Sequence, residues 1–152
     1  MSDVHDDAAL AILEGRIDDW LARLAASHPI EAIDRADGDV RRWFVRLRGE
    51  DKDFTTIWLT LGQRTMRYET YVMPAPEENG ERLYENLLHR NERLVGAAYS
   101  IGAEDAVFLR GDLPVDALDE GELDRIIGTL YATVEQHFRA LLRIGFASRF
   151  SD

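Results

Sequence analysis

Cysteine is absent from the 152-residue chain, lysine occurs once (Lys52), and no apolar run approaches the roughly 18 residues of a membrane span. Without cysteine there is no disulfide, no thiolate metal site and no cysteine nucleophile. The first residues, Met1-Ser2-Asp3-Val4-His5-Asp6-Asp7, are acidic where a secretory signal needs positive charge. A cytoplasmic protein that does not enter a membrane is therefore expected. Phosphate loops of the GxGxxG or GxxxxGK[ST] type are missing, as are the HExxH zinc motif and the GxSxG nucleophile elbow. The four histidines, His5, His28, His89 and His137, include no pair three or four residues apart, so no helical metal pair can be read. His137 falls at the edge of a helical stripe and reads as a packing or surface residue. Acids are plentiful but unordered. Asp18-Asp19, Asp105 and the group from Asp116 to Asp124 read as solvated faces or caps, and Asp112 to Asp116 lacks calcium-loop order. The expectation is a non-enzymatic protein without catalytic residues, cofactor or metal.

What is present fits one domain spanning 1–152, with 1–6 and 147–152 flexible or peripheral. Hydrophobic residues make up 45% of the chain, too many for a disordered protein. The net charge of −11 disfavours nucleic acid, whose binding is driven by phosphate neutralisation. That charge is uneven. Residues 1–40 hold ten acids and three bases, and residues 73–152 hold fifteen and eight. Between them, residues 41–72 hold seven bases and four acids, a mildly basic block inside an acidic chain.

Periodicity gives the elements. Leu10, Leu13, Ile17, Trp20, Leu21 and Leu24 recur at helical steps between Asp7 and Ala26, and Ser27-His28-Pro29 ends that helix. A strand over Ile33 to Ala36, an Asp37-Gly38 type I′ turn and a strand over Val40 to Arg48 follow. Phe54 to Leu61 and Thr65 to Val72 alternate in the same way, which predicts an antiparallel meander with one face buried. A helix from about Asn79 to Val95 places Leu83, Leu87, Leu88 and Leu94 inward. Asn91 falls inside that stripe, either as an amide tied to nearby backbone or as a polar contact at an interface. Ala97 to Ile101 and Ala106 to Gly111 read as two more strands. Asp119 and Glu122 open a closing helix, whose stripe runs from Leu123 to Leu142 and stops near Gly145. The fold class is α+β, a twisted antiparallel sheet with helices, in the order α-β-β-β-β-α-β-β-α. A closing helix near 25 residues, roughly 37 Å long, leads us to expect that part of its stripe is covered by a second subunit.

The outer face of the sheet is the most suggestive surface. Alternation projects Phe44, Trp58 and Tyr71 there, with Arg42, Arg46, Arg48 and Arg67. Arginine beside aromatics is the composition of interface hot spots. The same aromatics would also serve as ordinary cross-strand pairs, lie under helices of the same chain, or stack bases. Phe44, Trp58, Tyr71, Arg46 and Arg67 are the candidate partner-binding residues.

Several segments carry a family likeness: Trp43-Phe44-Val45-Arg46-Leu47 through Phe54 to Leu61, Tyr68-Glu69-Thr70-Tyr71-Val72-Met73-Pro74, Leu87-Leu88-His89-Arg90-Asn91, and Ala106-Val107-Phe108-Leu109-Arg110-Gly111. In this order the chain resembles the bacterial YbjN family, particularly its actinobacterial branch, over residues 8–150. The resemblance implies a fold similar to that of type III secretion chaperones, small acidic proteins that are often dimeric and not enzymes. It further implies a role in sensory or stress regulation, and it transfers no catalytic or cofactor residue. The expectation is a homodimeric, chaperone-like or regulatory adaptor that binds another protein. The competing expectation is a small-ligand-binding protein, or an uncharacterised enzyme, with a pocket between helix and sheet.

Overall fold

In the computed structural model, which describes residues 4–150, the elements run α1 (Asp7–Leu24), β1 (Ile30–Arg35), β2 (Arg42–Arg48), β3 (Phe54–Leu61), β4 (Thr65–Met73), α2 (Gly80–Asn91), β5 (Ala98–Ile101), β6 (Val107–Pro114) and α3 (Glu120–Gly145). This is the order read from the sequence. Met1, Ser2, Asp3, Ser151 and Asp152 lie outside the described residues, so the expectation for the two ends reaches only in part into them. The six strands form one antiparallel sheet in the order β1-β2-β3-β4-β6-β5. The first four make the expected meander. β6 then pairs with β4, which leaves β5 at the edge.

Alternation decides which sheet face is buried. Trp43, Val45 and Leu47 of β2, Ile57 and Leu59 of β3, and Met66 and Val72 of β4 are fully buried and form one core with the helices. The opposite set on the same strands is half-buried or exposed. α1 contributes Leu10, Ile17, Leu21 and Leu24, with Asp6 as its N-cap accepting a hydrogen bond from the Ala9 N–H at 2.8 Å. α3 is capped in the same way, Asp119 accepting from the Glu122 N–H at 2.8 Å. Its 26 residues extend about 39 Å.

α3 buries most of its stripe against its own chain. Leu123, Ile126, Ile127, Leu130, Val134 and Leu141 are already buried within the one chain. Phe138 and Leu142 of the same stripe remain half-buried. Gly145 is not a left-handed stop but a point of close approach. A Cβ there would meet Met73 and Pro76 at 3.0 and 3.1 Å, and the Gly145 carbonyl accepts the N–H groups of Glu77 and Glu78.

Three local expectations are also corrected. β1 starts at Ile30, and six residues (36–41) join it to β2 in place of a two-residue turn. Of Asp37 and Gly38 only Gly38 has positive φ, at 81°, so the type I′ geometry is not formed. α2 ends at Asn91, where the N–H of Arg93 and that of Leu94 close back on the Arg90 and Asn91 carbonyls. Leu88 is 69% exposed while Leu83 and Leu87 are buried. Asn91 takes the first of its two readings. Its amide donates to the Tyr99 carbonyl at 3.1 Å and accepts the Tyr99 N–H at 2.6 Å. This occupies backbone groups on the outer edge of β5, where another strand would otherwise pair.

Candidate protein-binding face

Strand register assembles the outer face. Phe44 lies opposite Trp58, Arg42 opposite Thr60, Arg46 opposite Thr56 and Arg48 opposite Phe54. The next pairings set Trp58 against Glu69 and Thr60 against Arg67. Across β4 and β6, Arg67 faces Asp112, Glu69 faces Arg110 and Tyr71 faces Phe108. Among the described residues no helix covers this side, because the helical stripes are spent on the other.

The candidates form two clusters. In the first, the Phe44 and Trp58 rings meet edge to face with centroids 5.7 Å apart. The Arg42 guanidinium lies over Trp58 at 5.6 Å and donates to the Thr60 hydroxyl at 2.8 Å. Arg46 lies over Phe54 at 3.8 Å, and Arg46 and Arg48 share Glu31 at 3.9 and 3.6 Å. Stacked in this way, the arginine stems are ordered before any partner arrives. In the second cluster, Tyr71 and Phe108 meet edge to face at 5.7 Å, with Arg110 over Phe108 at 4.9 Å and paired to Glu69 at 3.1 Å. Burial, then the Glu104 charge, pushes the Tyr71 phenol up, so it stays a neutral donor.

Arg67 stands apart from both. Its hydrogen bond and attraction to Asp112 at 3.2 Å raise its pKa further, and they occupy the guanidinium within the chain. Phe54, Phe108 and Arg110 belong to the face but were not singled out from the sequence. Phe54 shares the parity of Thr56 and Trp58, and that signal was readable. Phe108 is only 7% exposed although it points outward, since Tyr71 and Arg110 shield it.

The remaining chemistry-bearing groups serve the fold. Asp18 accepts from the Trp43 indole at 2.7 Å, Asp116 meets His5 at 2.8 Å and Asp124 meets His28 at 2.6 Å. The Glu135 carboxylate accepts the N–H groups of Glu50 and Asp51 at 3.0 Å each, which fixes the β2–β3 loop against α3. Lys52 donates to the Phe54 and Tyr71 carbonyls at 3.1 and 3.3 Å. Burial lowers its pKa against the opposing pull of Glu135. Among the described residues no group of three or more His, Asp or Glu side chains is gathered as a metal ion would need. Among the described residues no helix is long and apolar enough to cross a membrane.

His137 accepts or donates one hydrogen bond with the Tyr99 hydroxyl through Nδ1, at 2.7 Å. Burial, then the Arg90 charge, holds its pKa below the usual imidazole value. The folded imidazole therefore stays neutral where the unfolded one, near 6.5, takes up a proton. Stability should fall as pH drops through about 6.5, and the loss should be complete below the folded value. Urea unfolding of wild type and His137→Gln between pH 7.5 and 5 checks this. A difference between the two that does not change with pH would sink it.

Comparison with known proteins adds a family and a fold. The model of the YbjN family, described as "Putative bacterial sensory transduction regulator", matches residues 5–143. The chain is 38% identical over 104 residues to "Uncharacterized protein Rv0487" of Mycobacterium tuberculosis (strain ATCC 25618 / H37Rv), covering 68% of this chain and 57% of that protein. It is 35% identical over 107 residues to "Uncharacterized protein ML2442" of Mycobacterium leprae (strain TN), covering 70% and 58%. The chain thus matches a little over half the length of these relatives. Among solved structures, the ExsC-ExsE complex gives a TM-score of 0.60 at 14% identity, covering 85% of this chain and 96% of that one. The heterodimeric ExoU-SpcU complex of the Pseudomonas aeruginosa type III secretion system gives 0.55 at 14% identity, covering 82% and 96%. The fold is the type III secretion chaperone-like α+β fold that the resemblance implied. By the match over residues 5–143, the chain belongs to the YbjN family.

Proposed function

We propose that this chain is a non-enzymatic adaptor that binds another protein on the uncovered face of its sheet, in cytoplasmic sensory or stress regulation. The observation that carries this reading is the Phe44–Trp58 pair, held on an open face beside Arg42 and Arg46. Two structural neighbours are complexes of two different proteins, which supports partner binding as the use of this fold. Phe44, Trp58 and Arg46 are the contact centre, Tyr71 extends it, and Arg67 stands at the rim.

Charge names the partner's chemistry. The face as a whole presents Arg42, Arg46, Arg48, Arg67 and Arg110 against Glu31, Asp34, Glu69 and Asp112, on a chain whose net charge is −11. A local basic excess on an acidic molecule selects a segment carrying acidic and aromatic side chains. Peptides selected by display against the wild-type protein should be enriched in Asp and Glu beside aromatics. Their affinity should drop about 30-fold or more in Phe44→Ala/Trp58→Ala, as expected for hot-spot truncation. Unchanged affinity in a double variant with wild-type circular dichroism would overturn the assignment.

The reading includes a homodimer. Its surface is the exposed Leu88 beside the apolar groove of Tyr84, Leu87, Tyr99 and Ile101, since a twofold axis seats each Leu88 in the other copy's groove. Light scattering coupled to size exclusion should give twice 17.3 kDa, and Leu88→Glu should give 17.3 kDa. A wild-type monomer at all concentrations would remove the dimer and leave the sheet-face proposal standing.

A further inference from the structure

A cleft of about 310 Å³ lies where the C-terminal end of α2 meets the middle of α3, lined by Arg90, Arg93, Leu94, Gln136 and His137. Its lining holds two guanidiniums, one imidazole and one amide, and no carboxylate. We propose that this cleft binds a small phosphate-bearing ligand, with Arg90 and Arg93 as the charged clamp and Gln136 and His137 as further polar contacts.

The first argument is the state of the two arginines. Among the described residues ten of the seventeen arginines lie within 4.0 Å of a carboxylate, and Arg90 and Arg93 are two of the seven that do not, brought side by side on one cleft. Acids outnumber bases 29 to 18 in this chain, so two neighbouring cations without a carboxylate are against its own trend. The second argument is preorganisation. Arg90 Nε donates to the Asn86 side-chain oxygen at 2.7 Å, which fixes the guanidinium and leaves its terminal nitrogens uncommitted. The His137 ring is held through Nδ1 by the Tyr99 hydroxyl at 2.7 Å, which leaves Nε2 as its other polar atom.

The third argument concerns the simplest competing role, complementing the negative end of α2. Arg90 sits in that last turn. Yet the Arg90 and Asn91 carbonyls are already satisfied by the N–H groups of Arg93 and Leu94, so neither guanidinium is used to cap them. Arg93 lies beyond the helix altogether. Glu92, between the two arginines in sequence, does not line this cleft; it lines a second depression with Asn86, His89, Arg90 and Arg93.

Guanidinium pairs bind phosphate oxygens through parallel N–H donors, stronger than neutral hydrogen bonds by about twofold. The volume is at the small end of ligand pockets, which suits one phosphoryl group and a compact body. A bound dianion would also raise the His137 pKa by opposing the Arg90 charge, a change that can be read directly.

The test uses the whole chain and sodium pyrophosphate as the probe, titrated at constant ionic strength against sodium chloride and followed by NMR. The expected result is saturable shifts of the Arg90 and Arg93 side chains and the His137 ring, with a raised His137 pKa. Arg90→Gln/Arg93→Gln should weaken the affinity by roughly tenfold to hundredfold. The control Arg16→Gln/Arg64→Gln, which removes two other arginines outside any ion pair, should bind as wild type. Non-saturable shifts, equal loss in the control, or shifts centred elsewhere would overturn the site. Equal binding of succinate would overturn its assignment to phosphate.

Discussion

Trp43→Ala is expected to lower the unfolding free energy by roughly 3–5 kcal/mol, the range of large aromatic truncations in cores. Trp43 is 0% exposed in a strand whose other inward residues, Val45 and Leu47, are equally buried. Removing the indole leaves a cavity bounded by sheet and helix, and neither layer can collapse into it without losing strand pairing. Two further groups lose their partner. Asp18 accepts the indole N–H at 2.7 Å, and Arg35 lies over the ring at 4.3 Å. Trp43 therefore ties α1 and β1 to β2 as well as filling the core. Trp43→Phe should cost less, because it keeps most of the volume and loses only the Asp18 bond. Urea unfolding of the three proteins checks the ranking. An alanine variant within about 1 kcal/mol of wild type would contradict it.

Gly111→Ala is expected to be strongly destabilising, at or above the roughly 1–3 kcal/mol of core overpacking. Gly111 lies in β6 directly opposite Tyr68 of β4. The Tyr68 ring crosses over it, and the phenol donates to the Gly96 carbonyl of the α2–β5 connection. A Cβ on Gly111 would sit 2.6 and 2.7 Å from Tyr68 ring atoms and closer still to the Gly96 carbonyl. Tyr68 is 3% exposed and cannot swing away, and the backbone of Gly96 cannot retreat without releasing it. The same change at Gly15, exposed inside α1 with nothing within 4 Å, should stabilise by about 0.5–1 kcal/mol. Opposite signs for one chemical change, read as thermal midpoints, are the expected outcome. A stabilised or neutral Gly111→Ala would overturn the packing argument.

Much of this architecture was legible in one dimension. The alternation of Trp43, Val45 and Leu47 with Phe44, Arg46 and Arg48 assigns both faces of β2, and Asp119 with Glu122 marks the start of α3. Leu88 was expected inward, but it lies about 100° round the helix from Leu87, and only the Leu83–Leu87 line meets the core. The Asp37-Gly38 signal was overridden in the same way. The β1–β2 pairing is set by inward Ile33 and Val45, and the link then takes six residues rather than two.

The candidate face divides along the same line. Phe44 and Trp58 sit on consecutive strands, so parity alone brings them together. Tyr71 pairs with Phe108 because β6 inserts between β4 and β5, a lateral order that no periodicity encodes. Asn91 is similar, since its role depends on where β5 lies beside α2.

By itself, then, the sequence determined the element order, the buried side of β2, β3 and β4, the cap of α3 and the exclusion of cysteine chemistry, because these follow from local spacing and residue type. Only the tertiary structure decided the strand order, the burial of most of the α3 stripe within one chain, the two aromatic clusters and the meeting of Arg90, Arg93 and His137. Those depend on contacts between residues far apart in the chain, whose pairing is chosen by the packing of whole layers.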